Sequence, residues 1–230
     1  AARERKSSGT YKGRRGSSGT FQRKADRSKG KASTSTAWQN ERGEGNRQTA
    51  KEWDRSTGKG SYSSSTTTAT GKTSSRQGTV SKNEDGSYSQ QGTITGPKGK
   101  TTTVDRDISK NEDGSRSVET TYTGQDGKTL TSDKTITTGD GKRNVTGSYE
   151  TSAGKSGTFT AESGVQDGKA VTDRSLTDQD GRTWGQHAEV GRDGGTLTRD
   201  VTNTNPDGKS RSFSESVTFD AVPQDGEAAP

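Results

Sequence analysis

The sequence predicts an all-β fold, a repetitive antiparallel meander of hairpins that forms an extended, largely single-layer sheet. Three observations support this. Only 18% of the residues are hydrophobic, and the 230 residues include only 4 prolines. From Gly86 onward, turn glycines return about every 13–14 residues and most of them follow Asp; the segments between them are rich in Thr, Val and Tyr, which favour strands. No segment has the apolar period of a helix.

The low apolar content is also typical of disordered chains, so the periodicity decides between order and disorder. The segment Ser-Lys-Asn-Glu-Asp-Gly-Ser occurs at 81–87 and again at 109–115. Asp-Gly favours tight hairpin turns, because Gly accepts positive φ and Asp bonds to its own backbone. The predicted turn residues are Asp85, Gly86, Asp113, Gly114, Asp126, Gly127, Asp140, Gly141, Asp167, Gly168, Asp180, Gly181, Asp193, Gly194, Asp207 and Gly208.

The turns also predict the strand register. If residues 112–114 form a three-residue loop, Ile108 faces Val118 and Val104 faces Tyr122. A two-residue loop at 140–141 likewise places Ile136 opposite Val145. A shift of one residue would break this match. The matched register therefore predicts that these apolar residues share one face of the sheet. The predicted apolar-face or subunit-contact residues are Val104, Ile108, Val118, Tyr122, Ile136, Val145, Tyr149, Trp38, Trp53 and Trp184.

A β-solenoid is the alternative architecture, with one coil for each one or two repeats. Solenoids stack Val, Ile or Leu inward on every coil, and this chain has too few of these residues, so the meander is favoured. An open meander has two unpaired edges, which recruit further strands. We therefore expect pairing between subunits to complete the hydrogen bonding and cover the apolar face.

Charge and repeat regularity divide the chain into four regions. Residues 1–30 form a basic N-terminal arm, 31–80 a loosely repetitive basic β-region, 81–219 the regular β-repeat region, and 220–230 a C-terminal tail. The first 80 residues have an excess of Lys and Arg, whereas the remainder is acidic. The predicted assembly arm comprises Arg3, Arg5, Lys6, Tyr11, Arg14, Arg15 and Phe21.

These features predict a structural subunit of an extracellular homopolymeric filament, held by β-pairing and by attraction between the basic arm and an acidic body. The expected partner is the chain itself. A monomeric or trimeric adhesin or fibre segment that binds glycans or a cell surface is the first alternative. The second is binding of nucleic acid or an anionic surface through the arm; nucleic acid is the less expected partner, because no nucleic-acid-binding motif accompanies the arm.

Enzymatic activity is not expected, because the sequence contains no recognisable combination of catalytic acid, base, nucleophile or metal ligands. Cysteine is absent, and His187 is the only histidine, so neither thiol chemistry nor a His-based metal cluster is predicted. Asp178 and Asp180 would suit calcium in part, but the strand-like surroundings favour a plain turn. No cofactor is predicted.

An extracellular or cell-surface location is expected, after removal of a signal peptide. The sequence begins Ala1-Ala2-Arg3, and small residues at a new N-terminus are typical of signal-peptide cleavage. No stretch has the roughly 20 apolar residues of a membrane-spanning helix.

Overall fold

The computed structural model describes residues 2–220, and they form strands joined by short turns. The only helical segment in this range is a 3-10 turn at Arg14–Gly16. The strands are β1 (Arg3–Lys12), β2 (Ser18–Ser28), β3 (Lys31–Asn40), β4 (Gly43–Asp54), β5 (Lys59–Thr67), β6 (Thr73–Lys82), β7 (Tyr88–Thr95), β8 (Thr101–Lys110), β9 (Arg116–Gly124), β10 (Thr129–Gly139), β11 (Lys142–Thr151), β12 (Ser156–Gln166), β13 (Lys169–Asp178), β14 (Thr183–Asp193), β15 (Thr196–Thr204) and β16 (Ser210–Phe219).

The meander closes into a barrel of 16 antiparallel strands, so the predictions of an open single-layer sheet and of a solenoid are wrong. Each strand pairs with its neighbours in the chain, and β1 pairs with β16 from Gly9↔Phe219 to Lys12↔Ser216. Closure pairs the edge groups of Gly9–Lys12 and Ser216–Phe219, which an open sheet would leave free. The twist and stagger of the strands bring the two ends together, and the repeats contain no local signal for this.

The stagger of the strand pairs sets the width of the barrel. Around the sheet it accumulates to a shear of about 20 residues. Closed barrels of 16 or more strands generally enclose a channel, because side chains alone do not fill so wide an interior. By its strand number and shear, this barrel belongs to the wide class.

Alternate residues of every strand form an inner and an outer face. Cross-strand partners share a face, so the register assigns each strand residue to one of the two sets. The strand side chains with less than 9% exposure all belong to the same set: Val104, Val118, Thr120, Val145, Ala188 and Val201. This set, with its cross-strand partners, is the inner face. The outer face consists mainly of Ser, Thr, Asp, Glu and Lys.

The observed register agrees with the predicted hairpins. Ile108 pairs with Val118 and Val104 with Tyr122, across the turn that contains Gly114. The amide of Gly114, whose φ is 82°, donates to the Asn111 carbonyl, and the Asn111 amide donates to Ser115. The two-residue turn at 140–141 has positive φ at both positions, as a type I′ turn requires.

Aromatic side chains on the inner face lie over glycines of neighbouring strands. Trp38 is paired with Gly45, and Trp53 with Gly60. The same arrangement joins Phe21 to Gly9, Tyr62 to Gly78, Phe159 to Gly147 and Tyr149 to Gly157. A glycine leaves room for the ring to lie flat on the sheet, which explains how so few apolar residues cover so much backbone.

The segment predicted to be an arm supplies β1 and β2. Tyr11 and Phe21 are on the inner face, and the phenol oxygen of Tyr11 accepts a hydrogen bond from Asn40 at 2.8 Å. The guanidinium of Arg14 lies 4.5 Å from the centre of the Phe213 ring, which connects the first turn to the last strand. Most of the predicted C-terminal tail, residues 221–230, lies outside the described residues.

Candidate functional site: the basic interior of the barrel

Every arginine that lies within a strand is on the inner face of the barrel. Four lysines, Lys51, Lys82, Lys110 and Lys134, share this face. The inner arginines are Arg3, Arg5, Arg23, Arg27, Arg47, Arg76, Arg106, Arg116, Arg143, Arg174, Arg192, Arg199 and Arg211. The interior is therefore strongly basic, although the whole chain has a net charge of only +6.

Acidic residues at inner strand positions are few and already paired. Within residues 2–220 they are Asp178 and Glu215. Asp178 binds Arg182 of the adjacent turn at 2.7 Å, and Glu215 binds Arg199 at 3.2 Å. The other inner arginines have no carboxylate partner in the described part of the chain. Their positive charge is available to a ligand.

Some inner cations face each other directly. Arg3 is paired with Arg27, and Lys110 with Arg116. Like charges at directly opposite positions destabilise a sheet. Arg3, Arg5, Arg23 and Arg27 also line a concavity of about 440 Å³, together with Lys6, Ser7 and Ala25, and no acidic residue borders it. We call Arg3, Arg5, Arg23 and Arg27 the β1–β2 arginine cluster. An anion bound among them would relieve the repulsion.

The outer face has the opposite organisation, because most of its lysines form ion pairs with carboxylates. Lys142 binds Glu162 at 2.7 Å, and Lys31 binds Glu52 at 2.9 Å. The pKa of Lys142 is raised, mainly by its hydrogen bond to Glu162. Exposed pairs of this kind stabilise little, but they leave the exterior with no comparable excess of positive charge.

A further group of inner cations lies between β8 and β11. The Arg106 guanidinium donates to the Thr120 hydroxyl at 3.0 Å and to the Tyr122 hydroxyl at 3.4 Å. Burial lowers the pKa of Lys134, and the positive charges of Arg106 and Arg143 lower it further. Lys134, Arg106 and Arg143 thus lie in one region of the inner face.

Two buried polar atoms on the inner face lack a hydrogen-bond partner in the described structure. They are the Tyr62 hydroxyl oxygen and Nε of Arg76. The Arg76 guanidinium lies 5.1 Å from the centre of the Tyr62 ring, so a cation–π contact holds it in place. Unsatisfied buried polar atoms are costly, and this pair provides a further donor group on the inner face.

The structure places the residues singled out in the sequence on definite faces. All the predicted apolar-face residues, including Trp38, Trp53 and Trp184, are on the inner face. Of the predicted arm, Arg3 and Arg5 are inner and Lys6 is outer, where it binds Glu4 at 3.1 Å. The predicted Asp-Gly pairs lie at or beside turns, and Asp178 and Asp180 are both bound by Arg182.

Sequence reasoning did not identify the inner arginines as a set, although a signal was present. In the segment Val104-Asp105-Arg106-Asp107-Ile108, Arg alternates in step with the apolar residues and Asp alternates out of step. Alternation assigns residues to faces, so Arg belongs to the apolar face. The net charge of each half of the chain does not reveal this pattern, because basic and acidic residues of the same strand lie on opposite faces of the sheet.

His187 is on the outer face and does not contribute to the interior. Its Nδ1 lies 2.7 Å from Asp173 and its Nε2 lies 3.4 Å from Glu189. The Asp173 hydrogen bond, followed by that of Glu189, raises the pKa of His187. Within residues 2–220 no group of three or more potential ligands is placed to hold a metal ion, and no helix has the length and apolar content to cross a membrane.

We expect the imidazole of His187 to titrate above its ordinary pKa of about 6.5, and Asp173→Asn to lower the value. The raised pKa stabilises the folded chain below the unfolded-state pKa, and this contribution is lost as the pH rises through the folded-state pKa. Because this is the only histidine, one NMR titration measures it directly. Asp200→Asn is the control; an unchanged pKa in D173N would contradict the assignment.

Comparison with protein-family models, with curated proteins and with solved structures gives no significant match. The geometry of the barrel therefore carries the functional argument.

Proposed function

We propose that this protein binds an anionic ligand in the interior of its barrel. The carrying observation is that the strand arginines all line the inner face, where only Asp178 and Glu215 oppose them in the described residues. Guanidinium groups bind phosphate and carboxylate oxygens in a fixed fork geometry, and their charge does not depend on pH in the physiological range. An interior that excludes part of the bulk water strengthens such contacts.

The outer face supports an interior ligand over an exterior one. Outward strand positions carry mainly Ser, Thr and charged residues, and Val171 is the largest apolar residue among them. This is a surface in contact with water, because a lipid-facing barrel would present an apolar band. The separation of charge between the faces would guide anions toward the interior.

Substitution of the β1–β2 arginine cluster tests this proposal. We expect R5Q/R23Q/R27Q to weaken binding of inorganic polyphosphate about a hundredfold, at about 1 kcal/mol for each lost charge. These side chains are exposed and have no ion-pair partner, so the fold should persist. Isothermal titration calorimetry at several salt concentrations measures the affinity, which should fall as salt rises.

The matched control removes the same charge from the outside. In K12Q/K31Q/K59Q three outer-face lysines are neutralised, and we expect polyphosphate affinity within about threefold of the unmodified chain. Equal losses in the two triple variants would show that only net charge matters and would refute an interior site. Absence of polyphosphate binding at low salt would refute the proposal as a whole.

The filament predicted from the sequence rested on unpaired sheet edges and a basic arm. The pairing of Gly9–Lys12 in β1 with Ser216–Phe219 in β16 removes that part of both edges from the argument, and β1 and β2 are part of the barrel. Homopolymer assembly and an extracellular location remain predictions. Negative-stain microscopy over a range of salt concentrations tests assembly, and a monodisperse monomer throughout would contradict it.

A further inference from the structure

A cavity of about 520 Å³ lies on the inner face between β10 and β15. Three kinds of side chain line it: cations, apolar groups and amides. They are Lys134, Arg143 and Arg174; Val145, Phe159, Ala161, Leu176 and Trp184; and Gln186 and Asn203. Thr160, Ser175 and Gly185, at strand positions of the outer set, complete the lining. Its volume falls within the range of small-molecule sites, about 300–1,000 Å³. We call it the β10–β15 cavity.

The apolar side of the cavity is unusually open. Trp184 is 38% exposed and Leu176 is 37% exposed, whereas Val145 beside them is 8% exposed. Trp184 and Leu176 are cross-strand partners, and both also border an adjoining cavity of about 410 Å³. The Arg182 guanidinium lies 6.0 Å from the centre of the Trp184 ring, and the exposed remainder of the indole offers a flat surface on which a ring can stack.

The cationic side carries three positive charges, and no acidic residue lines the cavity. Burial lowers the pKa of Lys134, and the charges of Arg106 and of Arg143, which lines the same cavity, lower it further. Arg174 is directly opposite Gln186 on the neighbouring strand. A ligand with one charge would leave most of this repulsion in place, so the cavity suits a group with two or more negative charges.

The amides lie beside the rings and supply directional hydrogen bonds. The Gln186 Nε2 donates to the Asn203 Oδ1 at 2.9 Å, and Arg174 donates to the Gln186 Oε1 at 3.5 Å. Gln186 therefore contacts both the cationic side and the second amide. Amides of this type pair with the polar edge of a heteroaromatic ring, which a plain hydrocarbon ring lacks.

We propose that the β10–β15 cavity binds a nucleoside phosphate, with the base on Trp184 and its polar edge near Gln186 and Asn203. The phosphates then lie among Lys134, Arg143 and Arg174. This proposal rests on the proposed anion binding and names the ligand class of one site within it.

Calorimetry on the full chain with ADP, inorganic pyrophosphate and adenosine separates the contribution of the phosphates from that of the nucleoside. We expect ADP to bind at least tenfold tighter than pyrophosphate, because a stacked base adds binding that the diphosphate lacks. W184A should weaken ADP about tenfold and leave pyrophosphate unchanged, and W184F should retain most of the affinity because a ring remains. R174Q should weaken ADP and pyrophosphate alike, whereas K59Q, which removes one positive charge from the outer face, should weaken neither appreciably.

Q186L provides a second variant that does not depend on the fold tolerating W184A. It should weaken ADP but not pyrophosphate, with circular dichroism confirming retained strand content. Equal affinities for ADP and pyrophosphate in the unmodified chain would overturn the nucleoside assignment. If polyphosphate still binds in that case, the basic interior stands and only this ligand class fails; if no anion binds, both proposals fail.

Discussion

T10C/T218C should form an intramolecular disulfide that locks the barrel shut. Thr10 and Thr218 are cross-strand partners in the seam between β1 and β16, and both are exposed on the outer face. The ends of an open 16-strand sheet would instead lie about 70 Å apart, at about 4.8 Å per strand. Because the chain has no cysteine, no native thiol competes. The loop that the disulfide closes spans most of the chain, so it should stabilise the fold by roughly 4 kcal/mol.

Non-reducing electrophoresis and thiol titration measure the cross-link, and thermal unfolding measures its effect on stability. T10C/T20C is the positive control, because these residues face each other in the first hairpin whether or not the sheet closes. T10C/T196C is the negative control, since β16 lies between these strands. Free thiols in T10C/T218C, or dimers that persist on dilution, would contradict closure within one chain.

Gly45→Val should lower the free energy of unfolding by about 2–3 kcal/mol, because it displaces a packed indole. A Cβ at Gly45 would lie 2.5 Å from Cζ2 and Nε1 of Trp38, well inside van der Waals contact. Moving Trp38 would uncover the backbone beneath it and remove its apolar contacts with the neighbouring strands. Chemical denaturation followed by tryptophan fluorescence reports both the stability and the surroundings of the indole.

Gly139→Val is the matched control, because Gly139 is also in a strand and nothing lies within 4 Å of a Cβ built there. A β-branched residue suits an exposed strand position, so this variant should be neutral or slightly stabilising. A methyl group at this position, in G45A, should also lower the stability. The double variant W38F/G45A should recover part of that loss, since a smaller ring needs less room. Similar losses in G45V and G139V would show that strand glycines in general, and not the indole contact, limit stability.

Much of the local structure could be predicted from the sequence. The Asp-Gly turns and the pairings of Ile108 with Val118 and of Ile136 with Val145 follow from turn geometry and alternation, which act over a few residues. The basic site could be predicted only in part. Alternation assigns Arg106 to the face of Val104, but which face turns inward depends on the curvature of the whole sheet.

The sequence by itself determined the all-β class, the hairpin repeat, the register and the membership of each face. Only the tertiary structure decided that the sheet closes, because closure depends on twist and stagger summed over all strands, and no single repeat encodes that sum. Closure makes one face an interior. It brings arginines from Arg3 on the first strand to Arg211 on the last around one enclosed space, and so converts a scattered basic pattern into a candidate anion site.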